Sequence, residues 1–145
     1  MKNESCAVVD FLESAAAAAL EVRRLHRRLE GLDERRGRLR IQKGAAAKKI
    51  EKMIASERER EAQLIGEELK RYRCVEAFIA RVPQQAQQTI LRRRYLDIGK
   101  SWDEIRDDLA RDGVLYSPRH LQRLHTQALR AAQMLWDEEA GRERR

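Results

Sequence analysis

Few side chains in this sequence stand at spacings that support reaction chemistry. His120 and His125 are five residues apart, off the i, i+4 step that lets two imidazoles share a metal, and no cysteine or carboxylate cluster joins them. Cys6 and Cys74 have neither C-x-x-C spacing nor the density of a disulfide scaffold, and read as ordinary thiols of a reduced, cytoplasmic protein. Adjacent acids such as Asp107 and Asp108 point different ways on a helix. There is no glycine-rich phosphate loop and no G-x-S-x-G nucleophile elbow. The expectation is a non-enzyme with no metal and no cofactor.

What the sequence offers instead is positive charge. Lys and Arg number 31 against 24 Asp and Glu, a net of +7, which favours polyanionic partners without proving them. Residues 23–49 carry eleven Lys and Arg against Glu30, Asp33 and Glu34. Such a segment can hold nucleic acid or an acidic protein surface, or be a solvated loop. Towards the C-terminus the charge separates. Residues 101–112 have Asp103, Glu104, Asp107, Asp108 and Asp112 against Arg106 and Arg111, whereas residues 117–133 have Arg119, Arg123 and Arg130 with no acid.

The elements that must position these charges are helices. The 145 residues allow one domain, or a small domain with an extended arm. Two prolines and seven glycines leave few turns, and nineteen alanines beside an aromatic share of 5% point to thin interfaces between long helices. An all-α fold is expected. Val8, Leu12, Ala15, Ala19, Val22, His26 and Leu29 alternate steps of four and three, a heptad seam that Gly31 and Gly37 break. A second helical stretch over 45–82 places Ile50, Met53, Ile54, Leu64, Ile65, Leu69, Tyr72, Val75, Phe78, Ile79 and Val82 near one stripe, with a gap at ASEREREAQ. An antiparallel hairpin is the simplest way to bury both seams, and a homodimer through the same seam is its competitor. The longest apolar run, 15–20, is far short of the ~20 residues that span a bilayer, and Lys2 and Glu4 do not make a signal-peptide start, so no membrane is expected.

Pro83 marks a boundary. A third helix is predicted over 84–96 with Ala86, Ile90, Leu91 and Tyr95 inward and Arg92, Arg93 and Arg94 outward. Ser101 with Glu104 three residues on is a capping-box start for a helix whose buried face is Trp102, Ile105 and Leu109. Gly113 ends it, and Ser117 before Pro118 caps an amphipathic helix carrying Leu121, Leu124, Ala128, Leu129 and Ala132. Short helix, glycine-containing turn and capped helix form the grammar of a helix-turn-helix, whose second helix enters the major groove. Trp136 is expected to pack against the third helix.

The stretch ILRRRYLDIGKSWDEI, followed by YSPRHLQRLHTQALRAA, resembles region four of bacterial sigma factors. It is most similar to the RinA and ArpU type of phage late-gene transcriptional regulators, over about residues 92–132, under a third of the chain. The resemblance implies an all-α, non-catalytic DNA-binding regulator, encoded by a phage or prophage and acting in the bacterial cytoplasm with RNA polymerase. It places Arg119, His120, Gln122 and Arg123 where such proteins read bases. Arginine suits guanine O6 and N7 and glutamine suits adenine N6 and N7. Arg92, Arg94, Lys100, Ser117 and Arg130 are the candidates for phosphate contact, which positions rather than specifies. The chain departs from the family pattern at Arg106, where alanine is usual, and in the seven residues ARDGVLY, where about two are usual. The helix is therefore expected to run one turn further, to Arg111, with Val114 and Leu115 tucked under the bundle.

The expected organisation is a helical hairpin or coiled-coil arm over 1–82 with a basic connector around 31–46, a helix-turn-helix domain over 83–140, and a polar tail at 141–145. The expected function is sequence-specific binding of double-stranded DNA to regulate transcription. The alternatives are the DNA-recognition small subunit of a phage terminase, whose rings would mark it, and a helical protein-interaction adaptor that leaves DNA unbound.

Overall fold

A computed structural model describes residues 2–42 and 44–143, and the side chains from residue 7 onward among them. Cys6 as a side chain, Lys43 and the last two residues of the tail lie outside that description. The fold is all-α, with no strand among the described residues: α1 (Lys2–Leu39), α2 (Ala45–Ala80), α3 (Gln85–Leu91) continuing into a π-helical turn (Arg92–Leu96), α4 (Trp102–Arg111) and α5 (Pro118–Glu143). No described helix is long and apolar enough to cross a membrane.

The chain divides into two compact units, Met1–Ala17 with Tyr72–Arg145, and Ala18–Arg71. This corrects the boundary drawn at Pro83. Val8, Leu12 and Ala15 of α1 and Val75, Phe78, Ile79 and Val82 of α2 are buried in the same cluster as Ile90, Leu91, Tyr95, Leu96, Ile105, Leu109, Leu121, Ala128 and Ala132. The stripe on α2 is therefore not all hairpin: its last turns complete the core of the C-terminal bundle. Phe11 and Phe78 meet edge-on at 5.3 Å, and Trp136 packs on both, at 5.0 and 6.0 Å. Trp136 thus binds α5 to α1 and α2. Arg81 lies over the Phe78 ring and pairs through two nitrogens with Glu139, fastening the end of α2 to α5. The Gln88 side chain donates to the carbonyl oxygen of Val82 at 2.6 Å and so closes the turn around Pro83.

The second unit is a hairpin of α1 and α2 within one chain. Arg28 pairs with Glu61, Asp33 with Arg58, and Arg36 with Glu51, so numbers rise along α1 as they fall along α2, the signature of an antiparallel pair. Its seam is narrow. Ala18, Leu25, Leu32, Ile54 and Ile65 are buried, while His26 is exposed. Leu25 and Leu32, seven apart, hold the places that His26 and Leu29 were expected to share. The helix does not stop at Gly31. A glycine inside a helix costs about 1 kcal/mol relative to alanine. Beyond Gly31 that cost is offset by burial of Leu32 and by the Asp33 and Arg36 ion pairs. The expected connector around 31–46 is therefore helical to Leu39, and the chain turns only between α1 and α2, where Gly44 takes φ 147°, a conformation that favours glycine.

The apolar gap in α2 is filled by a carboxylate. Glu61 is 6% exposed and one of its oxygens has no hydrogen-bond partner among the described residues. The other faces Arg28 at 3.1 Å. Ile50, Met53 and Leu64, expected on the buried stripe, are exposed, because Ile54, Glu61 and Ile65 define the inward face.

Four outcomes are expected from this packing. Phe78→Ala, which empties the centre of the first unit, should cost about 3–5 kcal/mol in urea unfolding. A fragment of residues 83–145 should show no cooperative thermal transition, because it lacks the α1 and α2 walls of its core. In the hairpin, Glu61→Leu should slow amide exchange over residues 54–65. Arg28→Ala should speed it by leaving the buried carboxylate unpaired, at a cost of about 1–2 kcal/mol given how exposed the arginine is.

Candidate nucleic-acid interface

The C-terminal stretch folds as its local signals dictate. The Ser101 side chain accepts from the Glu104 N–H at 3.2 Å and starts α4. At the other end, the Gly113 N–H donates to Ala110 and the Val114 N–H to Leu109, two bonds that satisfy the last carbonyls of α4 around a glycine at φ 90°. The helix reaches Arg111 as expected. Val114 and Leu115 do not tuck under the bundle. Val114 spends its N–H on α4 and is 37% exposed, and Leu115 is 85% exposed. Ser117 accepts from the His120 N–H at 3.1 Å, and α5 begins at Pro118, whose absent N–H leaves nothing unsatisfied in a first turn.

Between α3 and α4 the chain widens into the π-helical turn, in which the Asp97 N–H reaches the Arg92 carbonyl. An α-helix would spread Ile90, Leu91, Tyr95 and Leu96 over about 240° of its circumference. The wider turn brings all four into the core, and Gln87 rather than Ala86 is the other buried residue of this face. Arg94 leaves in the opposite sense and lies 4.9 Å over the Trp102 ring. Trp102 meets the His125 ring edge-on at 4.8 Å, and the Tyr95 hydroxyl lies 3.0 Å from His125 Nε2. This cluster joins the π-turn, α4 and α5. Burial, and then the nearby Arg94 charge, push His125 down to about 4, so the ring is neutral at pH 7.

The charge separation read in the sequence is realised as pairing. Three of the five acids from 101 to 112 are neutralised locally: Asp103 by Arg106, Asp108 by Arg111 and Lys100, and Asp112 by Arg93. On α5, Arg119, Arg123 and Arg130 are exposed and have no carboxylate partner among the described residues. At 100° per residue these three and Thr126 fall within about 60° of one another, on the side opposite Leu121, Ala128 and Ala132. Sequence reasoning overlooks Thr126, although its spacing alone places it on this stripe.

The structure places each candidate residue. Arg119, Gln122 and Arg123 are exposed on the first two turns of α5. His120 is exposed too, one step round the helix, and its ring stacks on Tyr116 at 4.9 Å with 6° between planes. Ser117 is used as the cap but keeps a hydroxyl hydrogen to donate. Arg130 continues the stripe, and Arg92 and Arg94 are exposed on the π-turn. Lys100, with its side chain 31% exposed, is paired with Asp108 and with Asp97, and the hydrogen bond to Asp108 raises its pKa. Among the described residues no three His, Cys, Asp or Glu side chains converge as metal ligands would.

No family model, no curated protein and no solved structure matches the chain. The resemblance to sigma-factor region four therefore rests on its motif residues alone.

The lowered His125 value fixes a pH dependence. With the folded value near 4 and the ordinary one at 6.5, the unfolded chain takes up the proton first. This contribution to stability is complete above pH 6.5 and is lost as pH falls towards 4. His125→Gln, which stays neutral throughout, should flatten the fall of melting temperature across that window while leaving the carboxylate-driven loss at lower pH.

Proposed function

We propose that the protein binds double-stranded DNA through α5 in sequence-specific fashion and regulates transcription without catalysing a reaction. The observation that carries this reading is the stripe of unpaired cations, Arg119, Arg123 and Arg130, beside Gln122 on the exposed face of a capped helix, next to a helix three of whose five acids are locally neutralised. A polyanion meets no carboxylate on that stripe. Arginine and glutamine near a helix start are the side chains suited to guanine and adenine edges. Arg92, Arg94, Ser117 and Arg130 are the groups that reach for phosphates on either side. A phage or prophage setting and a bacterial RNA polymerase partner rest on the sequence resemblance.

Binding to random duplex and to genomic fragments across a salt series tests the reading. With ~4 to 6 phosphates contacted through α5 and the π-turn, these contacts alone should contribute about −4 to −5 to the slope of log affinity against log salt. Arg119→Ala with Arg123→Ala should abolish the preference among fragments. Absence of duplex binding even at low salt would sink it in favour of a protein-interaction adaptor.

A further inference from the structure

The helical hairpin carries a second concentration of charge that α5 does not account for. Residues 35–52, the end of α1, the turn and the start of α2, hold eight Lys and Arg and one acid, Glu51. Their net of +7 equals that of the whole chain, so the other residues together are neutral. Elsewhere in the hairpin, Arg24 pairs with Glu21, Arg28 with Glu61, Arg58 with Asp33 and Arg71 with Glu68, while Arg23, Arg27 and Arg60 have no acidic partner among the described residues but are not concentrated as the cations around the turn are. Around the turn, the lone Glu51 is shared by Arg36 and Arg40. Arg35, Arg38, Lys48, Lys49 and Lys52 are exposed and have no acidic partner among the described residues.

Helix stability does not explain this arrangement. Arg36 and Arg38 suit the negative end of α1, but Lys48 closes the first turn of α2 and Lys49 follows it, near the positive end of the helix dipole, and no acid occupies that first turn. Cations there act against the helix unless an anion compensates them. The type of anion is narrowed by what the hairpin lacks. It has no aromatic residue between Phe11 and Tyr72, hence no ring on which unpaired bases could stack or with which a helix could anchor in a lipid interface. Unpaired cations without aromatics suit the regularly spaced phosphates of a duplex.

We propose that the turn of the hairpin, through Arg35, Arg38, Lys48 and Lys49, is a second DNA-binding surface that grips duplex phosphates without regard to sequence. The choice of duplex DNA as the polyanion rests on the function proposed for α5. The residues themselves do not.

Two variants of the full chain test this beside the wild type and the α5 double variant. One is Arg35→Ala, Arg38→Ala, Lys48→Ala and Lys49→Ala, which spares the Glu51 pairs. The other is Lys48→Glu with Lys49→Glu, which reverses charge where the dipole welcomes acids and should leave the thermal melt unchanged or raised. The expected result is weaker binding of all duplexes alike, by about tenfold or more at low salt, with fragment ranking preserved. The salt slope of the quadruple variant should shrink by about 3 to 4. Wild-type affinity and slope in both variants would overturn the proposal while leaving the α5 reading intact. Loss of fragment preference only in the α5 variant, with residual binding that the hairpin changes remove, would establish both surfaces. If the wild type ignores duplex and instead binds phosphatidylserine vesicles through these four residues, both proposals fall.

Discussion

The contact of Phe11, Phe78 and Trp136 governs how the rest of the chain can be arranged. All seven aromatic residues of the protein, these three with Tyr72, Tyr95, Trp102 and Tyr116, belong to or pack against one cluster. Large rings bury more area each than any other residue of so alanine-rich a sequence, so where they meet is where a core can form. They come from both long helices as well as from the C-terminal segment. The unit that presents α5 is thus built from the two ends of the sequence, and no cut between 17 and 82 separates a self-sufficient piece from it. The hairpin unit, without a single ring, relies on a seam of alanine, leucine and isoleucine and on ion pairs across it.

The same economy explains the buried Glu61. An apolar residue there would pack better, since burying a charge costs more than a half-exposed arginine returns. A lone charged position in an otherwise apolar seam does fix which residue of α1 lies opposite, because sliding the helices by one turn would strand the carboxylate away from Arg28.

Much of the architecture was legible because its signals are local. Ser101, Gly113 and Ser117 act on backbone groups within a few residues, so caps and turn could be read from neighbours alone. What escaped depends on distant partners. Gly31 and Gly37 read as helix breakers, yet the pairing of Asp33 and Arg36 with α2 keeps the helix intact. Pro83 does end a helix, but a helix end is not a domain boundary when Val75, Phe78, Ile79 and Val82 before it share a core with Ile90, Leu91 and Tyr95 after it. Lys100 looked available because its two carboxylates, Asp97 and Asp108, sit on either side of it in sequence and converge only once α4 is formed. The π-turn does leave a trace in the sequence: the apolar residues at 90, 91, 95 and 96 would together span about 240° of an α-helix, more than one side can bury.

Net charge was the weakest guide, and the structure shows why. Counting places cations on α4, on the π-turn, on α5 and around the hairpin turn alike. Pairing divides them, because a cation within reach of a carboxylate has lost most of its pull on a distant phosphate, while an unpaired one keeps it within a Debye length of ~10 Å. Arg93, Lys100, Arg106 and Arg111 belong to the first kind, and Arg119, Arg123 and Arg130 to the second. For a helix that reads bases the second kind serves two ends unequally: each bidentate contact discriminates by ~1–3 kcal/mol, while phosphate contacts raise affinity for right and wrong sequences together. On the function proposed for α5, its readers are only Arg119, Gln122 and Arg123, with the His120 ring held against Tyr116. Selectivity would then be limited by those few side chains, and additional unpaired cations would lengthen residence on DNA without improving the choice of site.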